Sequence, residues 1–351
     1  MGNKPTSGRD TTTTRRRVLL GTVGAVLTGL SGCITRGYET DLSGEVLVDG
    51  SNTVLPHGAV VSEEFQWRNN RVIIPVRGSG TGAGFQRFCA GETDVQNASR
   101  PILDGESEMC SANGIEYVGL ETALDGLAVF AHPDNGWCDD LTVEELHQIW
   151  QSGSDVDTWS DVREEWPDEE IELYGRDPAS GTFDYFTEQI NDEIGDIRSD
   201  YSASADTNVI VRGVRGSEYA LGFGGAGYYY ENEDDLKLIG VDDGDGPVEP
   251  TRETIESGEY TPLTRPLYTY FRVSALERDV VRAFAEFYFE EIDGEATEAD
   301  IVEDDETLVW TQWAARRVGY YALPDEVDDP DEPSVAKSEA TLREALEEVT
   351  A

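Results

Sequence analysis

Three times in this chain a β-like apolar run breaks into a turn of glycine, serine and threonine, and then into a helical stripe. Val72-Ile73-Ile74-Pro75-Val76 leads into Gly78-Ser79-Gly80-Thr81-Gly82, with Phe85 and Phe88 behind it. Ile171-Glu172-Leu173-Tyr174 leads into Arg176-Asp177-Pro178-Ala179-Ser180-Gly181-Thr182, and Phe183, Phe186 and Ile190 follow at helical spacing. Glu45-Val46-Leu47-Val48 leads into Ser51-Asn52-Thr53-Val54, beyond which Val61 and Phe65 begin a third stripe. A helix that starts in such a turn leaves backbone N–H groups unpaired, with the positive end of its dipole behind them. That arrangement holds an oxyanion. Several such turns, far apart in sequence, suggest one anion gripped from more than one side.

Further strand-like runs at Ile115–Leu120, Leu127–Ala131, Val209–Val211, Leu221–Phe223 and Leu236–Val241 alternate with helical patterns such as Val143–Trp150 and Val280–Phe289. Alternation of this kind implies an α/β chain with largely parallel sheets. Two apolar runs, Leu124–Ala131 and Leu267–Val273, are places where the chain can cross between lobes. The expected division is a first lobe built from 44–123 and 264–327, with a second lobe, 124–263, inserted between. Residues 328–351 read as an acidic C-terminal tail, with Thr341–Val349 a short helix on it. No internal repeat is evident.

Charge narrows the partners. The chain carries 72 acidic and 26 basic residues, a formal net charge of −46, and its only lysines are Lys4, Lys237 and Lys337. Nucleic acid is an unsuitable partner, because neutralising phosphates needs a basic face. Seven Trp, eleven Phe and fifteen Tyr with clear periodicity argue for a folded chain over an acidic disordered one. The composition suits a halophilic protein, since molar salt screens the self-repulsion of a carboxylate-rich surface.

The N-terminus reads as a targeting segment. Thr14-Arg15-Arg16-Arg17-Val18-Leu19-Leu20 is a basic region of twin-arginine type, and the apolar run to Leu30 is short for a membrane span. It ends in Leu30-Ser31-Gly32-Cys33, which resembles a lipobox with Cys33 as the lipidated residue. Residues 1–33 are thus expected to be a signal peptide and 34–43 a polar tether, leaving the protein extracytoplasmic and anchored to the outer face of the cell membrane. An oxidising compartment permits one disulfide among Cys89, Cys110 and Cys138. With Cys89 on a buried helix face, Cys110–Cys138 is one reading, and three reduced thiols are another of equal standing.

Arginine supplies the charge for an anion site, because a guanidinium presents a planar fork of donors to two oxygens. Arg176 opens one turn, and Arg100 follows Ala98-Ser99. Asp177 is a candidate to orient Arg176. Enzymatic readings lack their parts. There is no Gly-Lys-Ser/Thr phosphate loop and no Gly-x-Ser-x-Gly elbow, and His57, His132 and His147 are scattered without metal-ligand spacing. Neither a metal nor a cofactor is expected. Turns without a base, nucleophile or metal describe a receptor.

Read together, Asp49-Gly50-Ser51-Asn52-Thr53-Val54, Gly78–Phe88, Asp94 with Ala98-Ser99-Arg100-Pro101, Gly175-Arg176 with Ser180-Gly181-Thr182, and Ala220-Leu221-Gly222-Phe223 with Gly227-Tyr228-Tyr229 resemble the PstS-like periplasmic-binding family, the phosphate receptors of ABC importers. The resemblance runs from about Gly44 to Val327. It implies a two-lobed periplasmic-binding-protein fold of type II, each lobe a mostly parallel sheet flanked by helices, joined by two crossover strands. It also implies a monomeric receptor that closes on inorganic phosphate and docks on membrane permease subunits. Carried over by position, Thr53, Val54 and Ser79 bind phosphate from one lobe, and Arg176, Ser180, Gly181 and Thr182 from the other. Better-known members place an aspartate after the Ala-Ser pair to accept the proton of hydrogen phosphate. Arg100 stands there in this chain, as in a branch of the family, which opens selectivity against sulfate to question and leaves Asp94 or a backbone carbonyl as acceptor. Competing readings are a sulfate, molybdate or tungstate receptor, a secreted phosphohydrolase, and a receptor that senses phosphate without delivering it.

Overall fold

The computed structural model describes residues 42–178, 180–230, 232–292, 307–327 and 332–350. Cys33, the signal segment, most of the tether and part of the acidic tail lie outside them.

One mixed sheet runs through both lobes. Its path is Val48–Gly50, Val95–Ala98, Thr264–Arg272, Tyr117–Ala131, Ala220–Gly225, Glu172–Arg176 and Ser202–Ser204. The outer strands pair in parallel, Val48 beside Val95 in one lobe and Leu173 beside Leu221 in the other. The two crossover strands run antiparallel to their neighbours, with Arg265 opposite Asp125 and Val129 opposite Phe223. Tyr117–Ala131 is a single strand where the sequence suggests two runs with a polar gap. Its first part pairs with Thr264–Arg272, and its last five residues pair with Ala220–Gly225.

The gap is a bulge. Pairing passes from Glu121–Tyr268 to Ala123–Leu267, so Thr122 has no opposite residue. Its hydroxyl donates to Leu267 O, while Thr311 donates to its carbonyl at 2.6 Å. A buried polar residue thus keeps partners inside the sheet. The backbone of Glu121 is tied by the Ser338 hydroxyl, which accepts from its N–H (3.1 Å) and donates to its C=O (2.9 Å). Ser338 belongs to the helix Val335–Thr350, whose Val335, Ser338, Leu342 and Ala345 are buried. This segment is therefore a docked helix and not the acidic tail the sequence suggests: the apolar side of an i, i+3, i+7 stripe finds a surface on the crossover strand.

Each lobe has its own core. In the first, Val61 and Phe65 on the helix Leu55–Arg68 meet Phe284 and Phe287 on the helix Asp279–Phe287, with Trp310 stacked on Phe287 at 5.1 Å. In the second, Phe186 stacks on Phe223 at 3.8 Å and Trp150 stands edge-on to both. His57 is fully buried in the first helix with Nε2 3.0 Å from Thr311 O, and burial lowers its pKa to about 4.

Two further expectations change. Val209–Val211 is helical, inside Thr207–Val214, because Thr207, Ile210, Val211 and Val214 share a buried face capped by Asp206. The disulfide is Cys89–Cys110, not Cys110–Cys138. The helix Thr81–Cys89 packs on Asp104–Ala112, which brings those two cysteines together. Cys138 is a free thiol in the second lobe, where burial pushes its pKa up to about 12. Among the described residues no helix is long and apolar enough to cross a membrane, and no cluster of side chains is arranged to hold a metal.

Candidate functional site

The strand Val48–Gly50 delivers the first turn. Gly50 has φ +134°, and a Cβ there would fall 2.0 Å from Asn97 O, so only glycine allows this exit. The Ser51 hydroxyl then accepts from Thr53 N–H (3.2 Å), and Val54 stands at the head of Leu55–Arg68. Val54 is fully buried, and its carbonyl accepts from Gly58 N–H at 2.9 Å. Tyr320, just past the end of the helix Trp310–Arg317, fixes the turn by donating to Thr53 O at 2.6 Å.

The second turn is bound to the first. Gly80 N–H donates to Gly50 O (2.8 Å), and Gly78 leaves room for the Asn52 side chain. Ser79, half-buried, gives its N–H to Asp49 Oδ1 at 3.2 Å and its hydroxyl to the same oxygen. Asp49 Oδ2 is paired with Arg87, whose Nη1 also donates to Ser79 Oγ (3.2 Å). Burial works to raise the Asp49 carboxyl, but hydrogen bonds from Ser79, Gly50 and Arg87 outweigh it and hold the pKa below the usual carboxylate range.

The third turn comes from the other lobe. Ser180 caps the helix Gly181–Asn191, accepting from Thr182 N–H (3.2 Å), and the same hydroxyl accepts from Arg176 Nε at 3.0 Å. Arg176 Nη1 donates to Thr207 Oγ1 at 2.5 Å, while Tyr201 OH holds the Arg176 carbonyl. The guanidinium is thereby pinned by two hydroxyls. Asp177 contributes its carbonyl, which accepts from Ser180 N–H at 3.1 Å.

The turns of the two lobes meet at Thr53 and Gly181. A Cβ on Gly181 would lie 2.6 Å from Thr53 Oγ1. Arg265, from a crossover strand, donates to Gly181 O (3.2 Å) and pairs with Asp125 of the other crossover strand at 3.0 Å. Beside this contact opens a cleft of about 520 Å³. Arg176, Arg252, Arg316 and Arg317 line it, and Asp125 is the one carboxylate among its lining residues. In a chain of net charge −46, that is a local reversal of sign, and such a field draws anions.

Two candidates are engaged differently. Arg100 forms a two-pronged pair with Glu106, both contacts 2.9 Å, above the Phe85 ring. Asp94 accepts from Leu47 N–H, Arg272 and Arg278, a brace within the first lobe and not part of the cleft lining. Asp49, Arg87, Thr207, Arg265 and Tyr320 were not singled out from sequence. Asp206-Thr207 before Ile210 and Val214 is a capping signal that could have exposed Thr207.

A two-lobed α/β body whose lobes share crossover strands and turn anion-ready helix ends toward each other defines the class of periplasmic binding proteins. Comparison with known proteins agrees: the family model described as "PBP superfamily domain" matches residues 37–291. Protein SphX of Synechocystis sp. is 39% identical over 90% of this chain and 88% of its own length. The phosphate-binding protein PstS of Staphylococcus saprophyticus is 41% identical over 74% of this chain and 80% of its own. A crystal structure of a possible phosphate binding protein from Planctomyces limnophilus superposes with TM-score 0.69 at 41% identity, covering 87% of this chain and 99% of that one. The chain belongs to the PBP superfamily, among the relatives of PstS and SphX.

Proposed function

We propose that this protein is an extracytoplasmic receptor that binds inorganic phosphate between its lobes and hands it to an ABC importer. The observation that carries the reading is the meeting of the Thr53 turn with the Ser180–Thr182 turn, beside an arginine-lined cleft. Thr53, Val54 and Ser79 would contribute donors from one lobe, and Arg176, Ser180, Gly181 and Thr182 from the other. Relatives named for phosphate binding support this choice of anion. Arg100, tied to Glu106, would act on the ligand only through the field around the site. The lobes, 44–123 with 264–327 and 124–263, would swing about the crossover strands that carry Asp125 and Arg265. Cys33 would carry the lipid anchor, the receptor would work as a monomer, and no catalysis is assigned to it.

Calorimetry on the chain from Thr35 onward, in molar salt, with phosphate, sulfate and molybdate tests this. One-to-one phosphate binding that excess sulfate does not displace supports the reading. Heat from another oxyanion and none from phosphate keeps the receptor class and replaces the ligand.

A further inference from the structure

Ser79 is where the anion reading meets an obstacle of the protein's own making. Both donors it would offer a ligand, the backbone N–H and the hydroxyl, are directed to Asp49 Oδ1. Gly50 N–H supplies a third donor to that oxygen at 2.8 Å, and Arg87 meets the other oxygen. The Asp49 carboxylate is 1% exposed and is surrounded as a bound oxyanion would be: backbone N–H groups, a hydroxyl and a guanidinium. It differs from a ligand only in being attached to the chain, on the strand Val48–Gly50 that opens the first turn.

Two anions cannot share one set of donors without cost, because like charges within a few ångströms oppose each other's ionised forms. Asp125, the carboxylate of the cleft wall, is already committed to Arg265, and Asp94 to Arg272 and Arg278. Asp49 alone among these three takes hydrogen bonds from one of the candidate anion turns.

We propose that Asp49 is a tethered counter-anion that contends with the bound oxyanion for the Ser79 donors and so sets the receptor's affinity below what its turns could deliver. The proposal rests on the phosphate reading above. Ligand binding requires either that Ser79 transfers its donors from Asp49 or that an unprotonated ligand oxygen lies against a carboxylate; both oppose binding. The opposition grows with ligand charge, so a dianion meets more of it than a monoanion. Asp49 is thus a specificity-determining residue as well as a brake on affinity.

The substitution Asp49→Asn removes the charge and leaves an acceptor oxygen for Gly50 and Ser79 N–H. Calorimetry with inorganic phosphate in molar salt is expected to give binding on the order of tenfold tighter than the parent, the scale of a released charge-assisted hydrogen bond. Sulfate is expected to tighten by at least the same factor. Asp49→Ser carries the same test if the Asn variant melts abnormally, and thermal unfolding without ligand checks both. Unchanged or weaker phosphate binding in a normally folded variant overturns the proposal and gives Asp49 a purely supporting role. If the parent itself binds no phosphate, the phosphate reading fails and the proposal with it; if the parent binds and the variants do not tighten, the proposal alone fails.

Discussion

Replacing Arg176 with alanine isolates the charge that the second lobe brings to the site. Of the five N–H bonds of its guanidinium, one on Nε goes to Ser180 and one on Nη1 to Thr207, which leaves three for a ligand. Two charge-assisted hydrogen bonds to an oxyanion contribute about 1.5–3 kcal/mol each, so their loss costs roughly 3–6 kcal/mol. That corresponds to a fall in affinity of about 10²- to 10⁴-fold. The fold should survive, because Ser180 still caps its helix through Thr182 N–H and the strand Glu172–Arg176 keeps its backbone pairing. Arg176→Lys restores the charge without the fork and should recover only part of the loss. Phosphate titration by calorimetry, with circular dichroism melting beside it, separates these outcomes. An Arg176→Ala protein that melts normally and binds phosphate within threefold of the parent would refute the assignment of Arg176 to the site.

Three further perturbations test other parts of the account. Replacing Cys89 and Cys110 with serine opens a loop with a sequence separation of 21; chain entropy puts the cost at about 3 kcal/mol. Scanning calorimetry should then show a midpoint roughly 4–5 °C lower, and a drop under about 1 °C would deny the bridge a stabilising role. His57, lowered to about 4 by burial, stays neutral in the fold while the unfolded chain takes up a proton below its ordinary value of 6.5. Its contribution is whole above pH 6.5 and is lost as pH falls toward 4, on the order of 3 kcal/mol in all. Denaturant titrations across that window should show a shallower decline for His57→Asn, and identical slopes would remove His57 as a cause. Gly181→Ala sets a methyl 2.6 Å from Thr53 Oγ1, so phosphate affinity should drop about tenfold or more while the melting temperature holds. Parental affinity in this variant would mean that the two turns do not close on the ligand together.

What the sequence made legible is what local chemistry decides. The turns after Val48, Val76 and Tyr174 announce themselves because glycine, serine and threonine at a helix start serve the backbone whatever surrounds them. Arg176 is legible for the same reason: it stands four residues before the cap that fixes it. Partners set by tertiary packing were out of reach. Cys89 finds Cys110 only because two helices pack side by side, and Val209-Ile210-Val211 reads as strand by propensity although the fold makes it helix. The break seen between Leu120 and Leu127 hides a continuous strand, since Glu121 and Thr122 are satisfied from afar by Ser338 and Thr311. Asp49 was in view within its motif, yet nothing local says that its carboxylate faces Ser79 thirty residues on.

The place of Thr264–Arg272 in the sheet also dictates an order of assembly. It lies between Val95–Ala98 and Tyr117–Ala131, two strands made long before it. The lobe that begins the chain therefore cannot close its sheet until the whole of 132–263 has been synthesised, and its early strands must wait with their edges unsatisfied. The inserted lobe has most of its strands earlier and can condense first on the far end of Tyr117–Ala131. Completion of the first lobe's sheet thus waits on synthesis of the whole second lobe.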